Sequence, residues 1–134
     1  MPWARTLDPR ISTDASRTVV AGQSLGALTA LLTALRHPEQ VGSVISQSAS
    51  LWLIDLTDEE ASLSPRADSA TVNGRAYCEV GTNEWVLTPL HRQVMPQLRS
   101  FWDEFTYVEY DGGHDDVCWR GTIADGLQAV LGTG

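Results

Sequence analysis

Gly22-Gln23-Ser24-Leu25-Gly26 follows the apolar run Thr18-Val19-Val20-Ala21 and leads directly into the leucine-rich segment from Leu25 to Leu35. A β-branched run, a G-x-S-x-G pentapeptide and an amphipathic segment predict strand, sharp turn and helix. In that context the pentapeptide presents a serine hydroxyl at the carboxyl edge of a sheet. The turn is tight enough that the residues two before and two after the serine must lack bulky side chains, and Gly22 and Gly26 supply that. The bland reading of the same residues is a glycine-punctuated turn whose serine only caps the helix.

Outward from this point the elements alternate, as in a parallel sheet covered by helices. Strands are expected at Thr18–Ala21, Val41–Ser46, Ala76–Val80 and Phe105–Tyr110. Leu28, Leu31, Leu32 and Leu35 recur at helical spacing, and His37-Pro38 ends that helix because proline disfavours helical backbone in the residue before it. Thr57–Asn73 is polar and reads as a solvated excursion, with Asp58-Glu59-Glu60 able to open a short helix. Leu90, Val94, Leu98 and Trp102 mark a helical stripe over Thr88–Trp102, expected to kink or split at Pro96. Ile123, Leu127 and Val130 or Leu131 mark a closing helix. The fold class is therefore α/β, with a mostly parallel sheet of about four strands and covering helices.

Two further residues follow strand ends. Glu84 lies in Glu79-Val80-Gly81-Thr82-Asn83-Glu84, and His114 in Tyr110-Asp111-Gly112-Gly113-His114-Asp115. Serine, acid, histidine is the chain order of α/β-hydrolases. A serine hydroxyl needs an adjacent base to act as a nucleophile at neutral pH, and His114 is the well-placed one. His37 sits at a helix terminus, and His91 on the second helix is expected at the surface. Glu84, three residues after Gly81, is the expected acid; Glu79 is its rival but would be a costly buried carboxylate unless paired, and Asp115 adjoins the histidine too closely to orient its ring. A serine–histidine pair with no acid remains a further alternative. The backbone N–H of Leu25 supplies one oxyanion donor, while the loop that normally gives the second has no counterpart in this sequence.

Arg17 to Gly26, Pro38-Glu39-Gln40-Val41-Gly42 through Ser46-Gln47-Ser48, and Asp111-Gly112-Gly113-His114-Asp115 leading into Cys118-Trp119-Arg120-Gly121 resemble the enterochelin esterases. The resemblance runs from about Thr18 to Leu131. It departs at Ala27, where a second glycine is usual, and at Leu53, where another tryptophan is expected after Trp52. It implies a serine esterase that cleaves ester bonds of a ferric catecholate siderophore and releases iron in the cytoplasm. Trp52, Trp85, Trp119 and Arg120 follow strand ends or the histidine loop and are candidates for lining the substrate site, ordinary packing being the alternative for each. For an anionic ferric catecholate, Arg120 stacked by aromatics is the expected cation. A general carboxylesterase and a catalytically incompetent fragment are the competing functions.

The chain has 134 residues, enough for one domain burying roughly two-thirds of its unfolded surface. An α/β-hydrolase domain is longer and places several strands before the serine, so residues 1–134 are expected to be the carboxyl-terminal portion of one catalytic domain, truncated on the amino side. A net charge of −8, with nine arginines and no lysine, argues against a nucleic-acid partner. No apolar run is long enough to span a membrane. Cys78 and Cys118 have neither metal-ligand nor disulfide spacing, so no metal and no cofactor are expected, and the partner is a small-molecule ester.

Overall fold

The structure is a computed structural model that describes residues 2–54 and 71–132. Four parallel strands stand in chain order: β1 (Val19–Gln23), β2 (Ser43–Gln47), β3 (Val72–Gly81) and β4 (Trp102–Tyr110). A short helix α1 (Pro2–Leu7) precedes them, α2 (Leu25–Arg36) links β1 to β2, α3 (Leu87–Arg99) links β3 to β4, and α4 (Asp116–Leu131) closes the chain. The expected α/β class with a four-stranded parallel sheet is the observed one.

The strand pleat sorts the core into two layers. Val44, Ala76 and Cys78 face α2 and α3, where Leu28, Leu31, Leu35, Val94, Met95 and Leu98 bury against them. Ile45 and Tyr77, one residue out of phase, face α4 and pack with Val130 and Ile123. Cys78 is fully buried, as expected of a core thiol, and desolvation pushes its pKa up to about 12.

Four expectations are corrected. Trp102 is the first residue of β4, buried with its indole N–H on the Gly42 carbonyl, so the stripe from Leu90 ends at Leu98. Pro96 does not split α3: it lies in the last turn, where its missing N–H removes one bond near a helix end. His91 is buried rather than at the surface. Leu127 is exposed, and of the alternatives Val130 and Leu131 it is Val130 that is buried; Gly126 makes the close approach of α4, and a Cβ there would lie 2.9 Å from Ile45 Cγ2. The Asp58-Glu59-Glu60 reading lies outside the described residues, and β3 begins at Val72, inside the stretch expected to be solvated.

Candidate active site

Parallel strands bring their carboxyl ends to one edge, and Ser24, Glu84 and His114 each stand past such an end. Ser24 follows β1 with φ 54° and ψ −118°, a backbone conformation that costs a non-glycine residue about 1–3 kcal/mol. The turn holds because Ser24 N–H donates to the Gln47 carbonyl at 2.9 Å, and the Ser24 carbonyl takes N–H bonds from Ala27, Leu28 and Ser50. Gly22 is required: a Cβ there would run into the Gly26 backbone carbonyl.

The loops after β3 and β4 are zipped together. Thr82 N–H donates to Tyr110 O at 2.8 Å and Asn83 N–H to Gly112 O at 3.0 Å. A Cβ on Gly81 would collide with the Gly112 carbonyl, so glycine permits this contact. It carries Glu84 and His114 to each other.

Glu84 Oε2 lies 2.5 Å from His114 Nδ1, and His114 Nε2 lies 2.9 Å from Ser24 Oγ. An ionised carboxylate only accepts, so Nδ1 carries the ring proton and Nε2 is free to accept from the serine hydroxyl. The other carboxylate oxygen, Oε1, takes the Gly81 N–H at 2.7 Å and the Ser48 hydroxyl at 2.6 Å. Glu84 is buried; the His114 side chain is partly exposed. Such a chain can draw a proton from Ser24 and stabilise the imidazolium that results.

Glu79, the rival carboxylate, is fully buried and faces α4, away from His114. It is compensated by donors: Gln47 Nε2 at 2.7 Å, the Tyr77 hydroxyl at 2.8 Å and the Thr122 hydroxyl. Burial, and then that hydrogen bond to Glu79, raise the Tyr77 pKa. Asp115 instead caps α4, accepting from Val117 and Cys118 N–H, which holds its carboxyl below the usual range.

A cleft of about 280 Å³ opens over Ser24 and is lined by Ser24, Ser50, Trp52, Glu84, Trp85, Val86, Leu87 and His114. Trp52 and Trp85 are 61% and 86% exposed, indole surfaces standing open beside Ser24. Trp119 and Arg120 line a separate hollow with Gln23, Asp116 and Ile123. Leu25 begins α2, where the helix itself leaves the first N–H groups unused, one of them beside the serine.

Two contributors escaped sequence reading. Ser50 Oγ lies 3.3 Å from Ser24 Oγ, and Ser48, at φ 54°, donates to Glu84. The run Ser46-Gln47-Ser48-Ala49-Ser50 following a strand was the available signal. No described helix is long and apolar enough to cross a membrane.

Comparison with known proteins agrees with this architecture. The chain is 35% identical over 131 residues to the iron(III) enterobactin esterase of Escherichia coli O6:H1, covering 95% of this chain and 32% of that protein. It is 34% identical over 143 residues to the iron(III) salmochelin esterase of the same organism, covering 98% and 35%. The structure of the Shigella flexneri enterobactin esterase determined in the presence of enterobactin superposes with a TM-score of 0.74 at 35% identity, covering 94% of this chain and 33% of that one. The chain thus spans about a third of the length of these relatives. The family model described as "Putative esterase" matches residues 4–130, almost the whole sheet with its helices. On that match the chain belongs to the esterase family, and the relatives it resembles are enterobactin and salmochelin esterases.

Proposed function

We propose that this chain carries a serine esterase centre working through an acyl-enzyme. The observation that carries the reading is the unbroken path Ser24 Oγ, His114 Nε2, His114 Nδ1, Glu84 Oε2, with spacings of 2.9 and 2.5 Å. Ser24 attacks the ester carbonyl while His114 takes its proton. Glu84 holds the imidazole in the Nδ1–H form and stabilises its positive charge. The carbonyl oxygen becomes an oxyanion facing the Leu25 N–H; His114 then protonates the leaving alcohol, and water repeats the sequence to free the acid. Residues 1–134 are read as the carboxyl-terminal portion of a single catalytic domain, and the Leu25 N–H is the oxyanion donor this chain supplies.

The relatives support a catecholate siderophore ester as the substrate class, its cleavage in the cytoplasm freeing iron. Trp52 and Trp85 supply flat apolar walls suited to aromatic rings. A second reading, a general carboxylesterase, draws support from the same cleft, whose lining among the described residues includes no arginine; Arg120 stands in the neighbouring hollow instead. Hydrolysis of a catechol-substituted triserine ester, with and without bound ferric ion, against short p-nitrophenyl esters separates the two. Turnover that persists in Ser24→Ala rules out both.

A further inference from the structure

We propose that Trp119 is a positioning residue for the Glu84–His114 pair rather than a wall of the substrate cleft. The inference rests on the catalytic reading above and adds to it the group that fixes the geometry.

Three of the contacts of Trp119 bear on the pair, each on a different part of the residue. Its indole Nε1–H donates to Ser48 Oγ at 3.0 Å, and Ser48 in turn donates to Glu84 Oε1 at 2.6 Å. Its ring meets the His114 imidazole edge-on, with centroids 4.8 Å apart and planes at 84°. Its backbone carbonyl accepts Gln47 Nε2 at 2.9 Å.

The third contact explains how the first two are held. Gln23, Gln47 and Glu79 occupy matched positions on β1, β2 and β3. They form a hydrogen-bonded row, Gln23 Nε2 to Gln47 Oε1 at 2.9 Å and Gln47 Nε2 to Glu79 Oε1 at 2.7 Å. The Thr122 hydroxyl joins the row at Glu79. The row therefore clamps the first turns of α4 to three strands, and the indole projects from that clamped turn onto His114 directly and onto Glu84 through Ser48.

Ser48 is fully buried, so its hydroxyl proton needs an acceptor and finds Glu84. Accepting from Trp119 polarises that hydroxyl and strengthens its bond to the carboxylate. A carboxylate held at Oε1 cannot rotate, so Oε2 stays aimed at Nδ1, and the edge contact stops the imidazole from tilting away. Burial alone would ask only for a bulky apolar side chain here; the indole N–H on a serine that holds the acid asks for more.

The test uses Trp119→Phe, which keeps a ring against His114 and loses the N–H, with Ser48→Ala and the double variant. Two readouts are taken: kcat and KM for ester hydrolysis, and the low-field proton resonance of the His114 Nδ1–H. Each single variant is expected to lower kcat, Ser48→Ala by about tenfold, with KM unchanged. The double variant should be no slower than Ser48→Ala, because the indole N–H acts through Ser48. The Nδ1–H resonance should broaden through faster exchange with water in all three. A rise in KM at constant kcat makes Trp119 a substrate wall and overturns the inference. Additive losses, or a lowered Tm with kcat and the resonance unchanged, overturn it as well. If Ser24→Ala retains turnover, the catalytic reading falls, while the Nδ1–H resonance still decides the positioning role without any activity.

Discussion

Gly22 and Gly26 flank Ser24 symmetrically in sequence but not in space. A Cβ on Gly22 would strike the Gly26 carbonyl and lie 2.8 Å from Ala27 N, whereas a Cβ on Gly26 would meet nothing within 4 Å among the described residues. The contact runs one way because β1 passes under the first turn of α2, while Gly26 points off that turn. The expectation that both positions must be small therefore holds only for Gly22.

This asymmetry gives the first prediction. Gly22→Ala should destabilise by about 3 kcal/mol or more, since backbone rather than a movable side chain stands in the way. Gly26→Ala should be neutral, or stabilising by about 0.5–1 kcal/mol, through better helix propensity. Urea midpoints of the two variants check it; similar losses at both positions would contradict the asymmetry.

Ser24→Ala and Glu84→Gln should differ in the size of their effect. The first deletes the covalent step; the second leaves a neutral acceptor opposite His114 Nδ1 and slows turnover by a smaller factor. In a serine protease the analogous changes cost about 2 × 10⁶ and 3 × 10⁴. Single-turnover measurement of acyl transfer distinguishes them, and a fully active Glu84→Gln alongside an inactive Glu79→Gln would move the acid to Glu79.

Glu79→Leu should destabilise by about 2–4 kcal/mol, because it strands the donors of Gln47, Tyr77 and Thr122 in the interior. Chemical denaturation gives the number. A neutral result would mean that those donors find other partners and that the row does not hold α4.

Acid sensitivity should trace in part to His91. Burial pushes its pKa below the ordinary value, the carbonyl of Leu87 sits 2.9 Å from Nδ1, and its Nε2 has no partner among the described residues. Its unfolded form binds a proton as pH falls below about 6.5, before the folded form does. Stability is therefore full above that pH and declines below it, by at most about 1.4 kcal/mol per pH unit from this group. Thermal melts of His91→Phe between pH 7.5 and 5 should show a shallower slope than the unsubstituted chain, and parallel slopes would exclude His91 as a source.

At lower pH the Arg92–Glu109 pair should take over. The Arg92 guanidinium, helped by the Tyr107 hydroxyl, holds the Glu109 pKa at about 2, against burial that opposes it. A depressed carboxyl adds stability above about pH 4.5 and loses it as pH falls toward 2. Arg92 is 62% exposed, so solvent screening keeps the contribution of the pair small. Arg92→Gln should lower Tm slightly at pH 7 and leave it unchanged near pH 2; an equal loss at both would assign the effect to packing.

What the sequence determined by itself is local and sequential. β-Branched runs, the leucine stripe of α2 and the glycines beside Ser24 and His114 fix their own backbone, so the order of strands, helices and chemical groups was legible from residue types alone. What the tertiary structure decided depends on which side of an element a residue faces. Glu79 and Glu84 lie five residues apart; the place of Glu84 after Gly81 favoured it, but only the tertiary structure shows which of the two meets histidine. The pleat of β3 turns Glu79 toward α4, and the turn after Gly81 carries Glu84 past the sheet edge onto His114 Nδ1. Trp119 moved from an expected cleft wall to the back of His114, and His91 from the surface to the core, for the same reason. Periodicity tells which residues share a face; only packing against specific neighbours tells what that face meets.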